Sequence, residues 1–274
     1  MLKKRLIFTL LYCNGQFMLS RNFRLQQVGN IEWLRNNYNF AQVSYSIDEL
    51  IVLDVSPGER DVDKFCDSLK LLTEGCFVPI AAGGGLASVD SARKLLRSGA
   101  DKVVVNSELF VSNSFVDELA SEFGKQCIIG SIDIKSNSNG DYQVWSRNGT
   151  ELEPGLADSW IKKISNDAIG EIYLNSIDRD GTGQGLDLNL LDMIPTDMKK
   201  PVILAGGVGS ANHISEGLDD PRVDAVATAN LFNFIGDGLK NARNSIISKG
   251  TVLPLWSINQ LDPQPENPLR GRVS

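Results

Sequence analysis

Residues Pro79 to Phe110, PIAAGGGLASVDSARKLLRSGADKVVVNSELF, and Pro201 to Phe232, PVILAGGVGSANHISEGLDDPRVDAVATANLF, are two copies of one pattern set 122 residues apart. Each copy passes from an apolar run through a glycine pair and a helix-length amphipathic segment to a second apolar run, rich in Val and Ala, that ends on polar residues. Apolar runs of this length bounded by glycine read as buried parallel strands, and the segment between them as a helix covering the sheet. The same offset links Glu49 in DELIVL to Glu171 in GEIYLN, and Leu11 to Asp133. Repeated βα units close into a barrel more readily than into an open sheet, whose halves would leave unpaired edges. Strands are predicted at 5–11, 49–54, 78–82, 102–106, 127–133, 170–175, 201–205 and 224–228. The fold class is therefore α/β, and the architecture a (β/α)8 barrel made of two half-barrels.

A chain of 274 residues suits one such barrel. Residues 1–250 are read as the single barrel domain and 251–274 as a C-terminal extension, because TVLPLWSINQLDPQPENPLRGRVS holds four of the ten prolines and no helical period. The balance of 27 basic against 34 acidic residues, a net charge of −7, argues against nucleic acid or an anionic membrane as partner. Small anions remain open as ligands, since backbone N–H groups hold them without net positive charge. Cys13, Cys66, Cys76 and Cys127 show no CxxC spacing, and His213 is the single histidine, so neither a metal site nor a cofactor is expected. Reduced thiols fit a cytoplasmic protein, with Cys127 read as a small buried residue of the fifth strand. The basic and apolar start, MLKKRLIFTLLYC, resembles a signal peptide, but residues 5–11 are the repeat partner of 127–133 and are read as the first barrel strand.

Asn14 to Asn30 is expected to form a long first βα loop, and Ile31 to Val43 the first helix, with Trp33, Leu34 and Tyr38 on its inner face. Pro57 and Gly58 end the second strand before a helix over 62–73. Ser112 is read as a helix N-cap ahead of Phe115, Val116 and Leu119. Turns at Asn139-Gly140 and Asn148-Gly149 flank Tyr142, Val144 and Trp145, a β-hairpin pattern on the fifth βα loop. A long insertion there belongs to the rim of a barrel's active end.

Function in such a barrel sits where the strands end. The residues that land there are Asp54, Asn106, Ser107, Asp133, Asp178, Asp180, Gly206, Gly207, Ala229 and Asn230. Two glycine loops, Gly83-Gly84-Gly85 with Ser88 and Gly206-Gly207 with Ser210, each precede a helix and have a following-strand partner, Asn106-Ser107 or Ala229-Asn230. They either cradle an anion at each side of the mouth or only permit tight turns. A matched pair implies a ligand with phosphate at both ends. Asp133 closes the otherwise apolar CIIGSID, where burial can raise a carboxyl's pKa enough for general acid or base work. Asp178 and Asp180 in IDRDGT could do the same or shape their loop. At the opposite end stand Arg5, Glu49, Lys102 and Glu171, two cations and two anions at matching heights. They form either a structural layer of ion pairs or a polar gate for a small molecule, roughly 20 Å below the mouth.

Together these residues resemble HisF, the cyclase subunit of imidazole glycerol phosphate synthase, over Met1 to Gly250, through DELIVLD, AGGG, GADKVVVNS, SIDIK, GEIYLNSIDRDGTGQG and LAGGVG. The resemblance implies a barrel that receives ammonia from a HisH-like glutaminase subunit docked on its N-terminal face and passes it to a bis-phosphorylated ligand at the mouth. It implies that Arg5, Glu49, Lys102 and Glu171 are the ammonia gate. It assigns Gly84, Gly85, Asn106 and Ser107 to one phosphate site, and Gly181, Gly206, Gly207, Ala229 and Asn230 to the other. One departure matters: the family's first catalytic aspartate falls on Leu11 and a following lysine on Leu19, so only Asp133 remains of the carboxylate pair. Leucine there resembles a divergent HisF-like branch of surface-polysaccharide (LPS O-antigen) biosynthesis, in which ammonia is supplied, with a separate amidotransferase, for amidination of a nucleotide sugar. The alternatives are the histidine-pathway cyclase itself, using Asp178 or Asp180, and a non-catalytic scaffold that docks and activates a glutaminase.

Overall fold

The computed structural model describes residues 3–37, 43–111, 113–229 and 238–254. The chain enters β1 (Arg5–Cys13), turns back through a hairpin of β2 (Gln16–Arg21) and β3 (Arg24–Gly29), and passes along α1 (Ile31–Asn37) to β4 (Glu49–Asp54). Then come α2 (Val62–Thr73), β5 (Ile80–Gly83), α3 (Val89–Arg97), β6 (Lys102–Val105), the short α4 (Glu108–Val111) and α5 (Asn113–Phe123). The second half runs through β7 (Ile128–Ser136), a hairpin of β8 (Tyr142–Ser146) with β9 (Glu151–Leu152), α6 (Ala157–Asn166) and β10 (Glu171–Ser176). It ends with β11 (Val202–Ala205), α7 (Ala211–Asp219), β12 (Ala225–Thr228) and α8 (Gly238–Ser248). Strands β1, β4, β5, β6, β7, β10, β11 and β12 pair in parallel in that order. Because β12 pairs back onto β1, the eight strands close into the expected (β/α)8 barrel.

The two-residue period of a strand decides what faces the lumen. Leu6, Phe8 and Leu10 of β1 point outward and join Leu50, Val52, Ile132 and Leu174 in the layer beneath the helices. The alternate residues Ile7, Ile51, Val104, Ile129, Tyr173 and Ile203 pack inside. Both layers are buried, and each such aliphatic side chain contributes about 1.5–3 kcal/mol by leaving water. The helices begin where the sequence supplies caps: Ser88 Oγ accepts from Ser91 N of α3, Asp61 Oδ1 from Lys64 N of α2, and Ser210 Oγ from His213 N of α7.

The repeat is visible in the register. Ile7 pairs with Glu49 and Ile129 with Glu171; Leu50 pairs with Ile80 and Ile172 with Val202, all at the 122-residue offset. The offset breaks at the last strand. Ala81 pairs with Lys102, whereas Ile203 pairs with Ala225, so β12 stands one residue later than its counterpart β6. The extra residue lies between α7 and β12, and the structural equivalents are Asp101 and Asp224. Each accepts from the first N–H of the neighbouring strand, Ile80 at 2.8 Å and Val202 at 2.9 Å.

Several local expectations change. The first βα loop is not irregular: residues 16–29 form the β2–β3 hairpin. The first helix is described over Ile31–Asn37, with Leu34 buried, while Tyr38 lies outside the described residues, as do Ser112 and Asn230. Cys127 belongs to a 3₁₀ turn before β7, where it is only partly buried. The β8–β9 turn places Arg147 and Asn148 as well as Gly149 in the left-handed region, at φ 48°, 59° and 73°. Of the C-terminal extension, residues 251–254 are described; Leu253 is buried and Arg243 of α8 donates to the Pro254 carbonyl. Arg243 also makes a two-pronged ion pair with Asp48, at 2.7 and 3.0 Å, and Asp48 accepts from Leu6 N, which ties α8 to the barrel floor.

Candidate active site at the barrel mouth

Where the strands end, a cavity of about 1020 Å³ opens. Asp133 lies in its wall, 9 % exposed, at the inward-facing last position of the barrel section of β7. Its Oδ1 accepts from Asn175 Nδ2 at 2.9 Å and its Oδ2 from Asn106 Nδ2 at 3.1 Å. Burial pushes its pKa up to about 7; the nearby Asp180 adds to the rise, and the two amide donors only partly oppose it. The carboxyl can therefore hold or release a proton near neutrality. Across the mouth, the repeat partner of this cluster is apolar. Leu11 lines the cavity in register with Leu53, as Asp133 is with Asn175, and Ala229 stands where Asn106 does once the β12 shift is counted.

Both glycine loops reach the same cavity: Gly84, Gly85, Asn106 and Ser107 line one side, and Gly181, Gly206, Gly207 and Ala229 also line it. The glycines are required by geometry. Gly84 has φ 113° and a Cβ there would stand 2.1 Å from the Asp54 carbonyl; its repeat partner Gly206 has φ 93° and the same conflict with the Ser176 carbonyl at 2.5 Å. Each loop thus passes tightly over the end of the preceding strand and leads into a serine-capped helix. The tight-turn need is met at both loops.

The sixth-loop aspartates separate. Asp180 lines the cavity and is buried, and burial raises its pKa despite hydrogen bonds from Ser20 Oγ at 2.5 Å and Phe23 N at 3.1 Å. Asn22 Nδ2 also donates to the Ile177 and Asp178 carbonyls. Asp180 therefore latches the β2–β3 hairpin onto the loop after β10. Asp178 does not line the cavity; its Oδ2 accepts from Ser136 N at 2.7 Å and Ser136 Oγ at 2.9 Å, fixing the outer end of β7. Of the two roles open to Asp178, these contacts are those of a loop-shaping residue.

Sequence reasoning passed over the arginines of the mouth. Arg21, Arg24, Arg60 and Arg147 line the cavity, so a chain of net charge −7 presents cations there. They sit on βα loops at the strand ends, and weighing every charged residue of those loops, instead of the repeated ones only, would have found them.

At the floor, the four charges form a closed ring. Arg5 reaches Glu49 at 2.8 Å and Glu171 at 2.5 Å, while Lys102 reaches Glu49 at 3.0 Å and Glu171 at 2.5 Å. Burial lowers the pKa of both cations, but the two carboxylates outweigh it and hold both above their ordinary values. Burial pushes Glu49 up beyond what Lys102 and Arg5 offset, whereas at Glu171 the same burial is outweighed by Arg5 and Lys102 and the carboxyl stays below its usual value. Among the described residues, no group of three or more His, Cys, Asp or Glu is arranged to hold a metal ion, and no helix is long and apolar enough to cross a membrane.

A family model described as histidine biosynthesis protein matches residues 30–236. The chain is 46 % identical over 244 residues, 89 % of this chain and 90 % of the relative, to a protein of Parasynechococcus marenigrum (strain WH8102) named for subunit hisF2 of imidazole glycerol phosphate synthase. With its eight-stranded closed barrel, its paired glycine loops and its place in the repeat pattern, the chain belongs to the histidine biosynthesis protein family, as a HisF-like member.

Proposed function

We propose that this chain is the synthase-type subunit of an ammonia-using, cytoplasmic enzyme pair that supports amidination of a nucleotide sugar in surface-polysaccharide biosynthesis. A HisH-like glutaminase docks on the N-terminal face, the ring of Arg5, Glu49, Lys102 and Glu171 admits ammonia, and a phosphorylated ligand binds at the mouth on the two glycine loops. Asp133 exchanges the proton, and a separate amidotransferase takes part in the transfer. The observation that carries this reading is the one-sided mouth: Asp133, Asn175 and Asn106 face Leu11, Leu53 and Ala229. A cyclisation that needs an acid and a base on opposite walls loses ~10²–10⁴-fold when one is missing, which weighs against the histidine-pathway reaction in this cavity. The second reading, the cyclase subunit of histidine biosynthesis, is favoured by the name of the relative at 46 % identity.

The test is ammonia-driven formation of imidazole glycerol phosphate from the histidine-pathway bis-phosphate. It compares the unmodified chain, Leu11→Asp, and Leu11→Asp combined with Leu53→Asn and Ala229→Asn, which supplies the amide donors that Asp133 enjoys. Turnover by the unmodified chain sinks the leading reading. An inactive parent with activity gained in the triple variant supports a barrel turned away from histidine synthesis, and nucleotide sugars become the substrates to assay.

A further inference from the structure

Three βα loops converge beside the first glycine loop. Arg60, on the loop after β4, donates from Nε to the Ser56 carbonyl at 2.9 Å and from Nη2 to Asn148 Oδ1 at 3.1 Å. Asn148, at the tip of the β8–β9 hairpin, is itself held by the Val55 carbonyl at 3.2 Å. Beside it, Arg147 N donates to Ser107 Oγ at 3.2 Å, which pins the hairpin over the loop that follows β6. Arg147 and Asn148 hold the left-handed backbone of the β8–β9 turn at this contact.

The guanidinium of Arg60 lies against Gly85, its Nη1 only 2.1 Å from where a Cβ would stand. Among the described residues no carboxylate comes within ion-pair distance of it. Burial lowers its pKa, more than Asp54 and Cys13 offset, so its charge is under-compensated. Arg147 uses Nε on the exposed Glu151, at 2.8 Å, and lines the cavity.

We propose that Arg60 and Arg147 extend the first glycine loop into a site for a diphosphate. The inference rests on the reading of that loop as a phosphate cradle. The loop N–H groups, the start of α3 and Ser107 suffice for the three oxygens of one terminal phosphoryl group. Arg60 Nη1 and the guanidinium of Arg147 add N–H donors and two positive charges, which match the second phosphoryl group and the two negative charges of a diphosphate diester. The chemical class is a pyrophosphate-linked ligand, such as a nucleoside diphosphate or its ester.

The experiment titrates the full chain with inorganic phosphate and inorganic pyrophosphate by calorimetry at constant ionic strength, beside Arg60→Met, Arg147→Met and, as a charge control on an exposed helix face, Arg97→Met. Pyrophosphate is expected to bind at least about 10-fold tighter than phosphate, charge-assisted hydrogen bonds each accounting for about 10- to 100-fold. Arg60→Met and Arg147→Met each lose about that factor for pyrophosphate and clearly less for phosphate, while Arg97→Met changes neither. Phosphate binding with no advantage for pyrophosphate, or equal losses for both anions, overturns the diphosphate site and leaves the phosphate cradle standing. Failure of both anions to bind the parent overturns the cradle as well. Since Arg147 lies on a hairpin outside the barrel wall, its variant reads binding even if Arg60→Met were poorly folded.

Discussion

Replacing Asp133 by Asn removes a charge from a wall where only two amides solvate it, and the structure fixes the sign of the result. A carboxyl that titrates near 7 when folded and near its ordinary value when unfolded binds more protons in the native state between those limits, so its contribution to stability falls as pH rises from about 4 to about 7 and is level above. A rise of about three units at about 1.4 kcal/mol each makes ionised Asp133 cost about 4 kcal/mol of folding free energy at pH 8 relative to pH 4. The Asp133→Asn variant would carry no such slope, its one adjustment being an amide turn at Asn175 to keep a donor facing an acceptor. Urea unfolding of parent and variant across this range should show their difference growing by up to about 4 kcal/mol in favour of the variant, and carbon NMR of the Asp133 carboxyl should place the midpoint near 7. A difference flat with pH, with the carboxyl titrating near 4, would falsify the burial argument and remove the reason to place a neutral-pH proton carrier there.

Other outcomes follow from particular contacts. Arg243→Ala removes the guanidinium that neutralises buried Asp48 and is expected to cost about 3–5 kcal/mol in denaturant unfolding, with Arg243→Lys recovering only part because one prong of the pair is lost. Ser20→Ala weakens the latch on Asp180, and hydrogen exchange at the Asn22 and Phe23 amides should quicken about 5- to 10-fold, a loss of about 1 kcal/mol, while the α3 amides are unchanged. In a complex with a glutaminase, Lys102→Ala should let glutamate form in excess of the aminated product; unchanged stoichiometry removes the gate assignment.

The barrel was legible because its signal is periodic twice over, in the two-residue alternation of each strand and in the 122-residue repeat. The helix over 62–73 agrees to the residue, since Asp61 caps it and Phe65, Cys66, Leu69 and Leu72 mark one buried face. The β2–β3 hairpin was missed: its exposed edge, Arg24 to Gln27, carries no apolar alternation, and it is held by Asp180 from a loop 160 residues away. The one-residue shift of β12 was hidden because the copies match in length from Pro to Phe, whereas hydrogen bonds by Asp101 and Asp224 set the true equivalence. Asp133 was readable as a lone acid ending an apolar strand, but its two amide partners come from neighbouring strands and only the closed barrel joins them.

The ring at the floor has a mechanical property that an ordinary ion pair lacks. Every charge in it has two opposite neighbours: the fork of Arg5 spans one oxygen of each glutamate, and the ammonium of Lys102 spans the other oxygen of each. If either cation swings aside, both carboxylates keep one hydrogen bond to the other cation and neither is orphaned. Redundant bonding thus lets one corner of the frame shift while the remaining three charges stay connected.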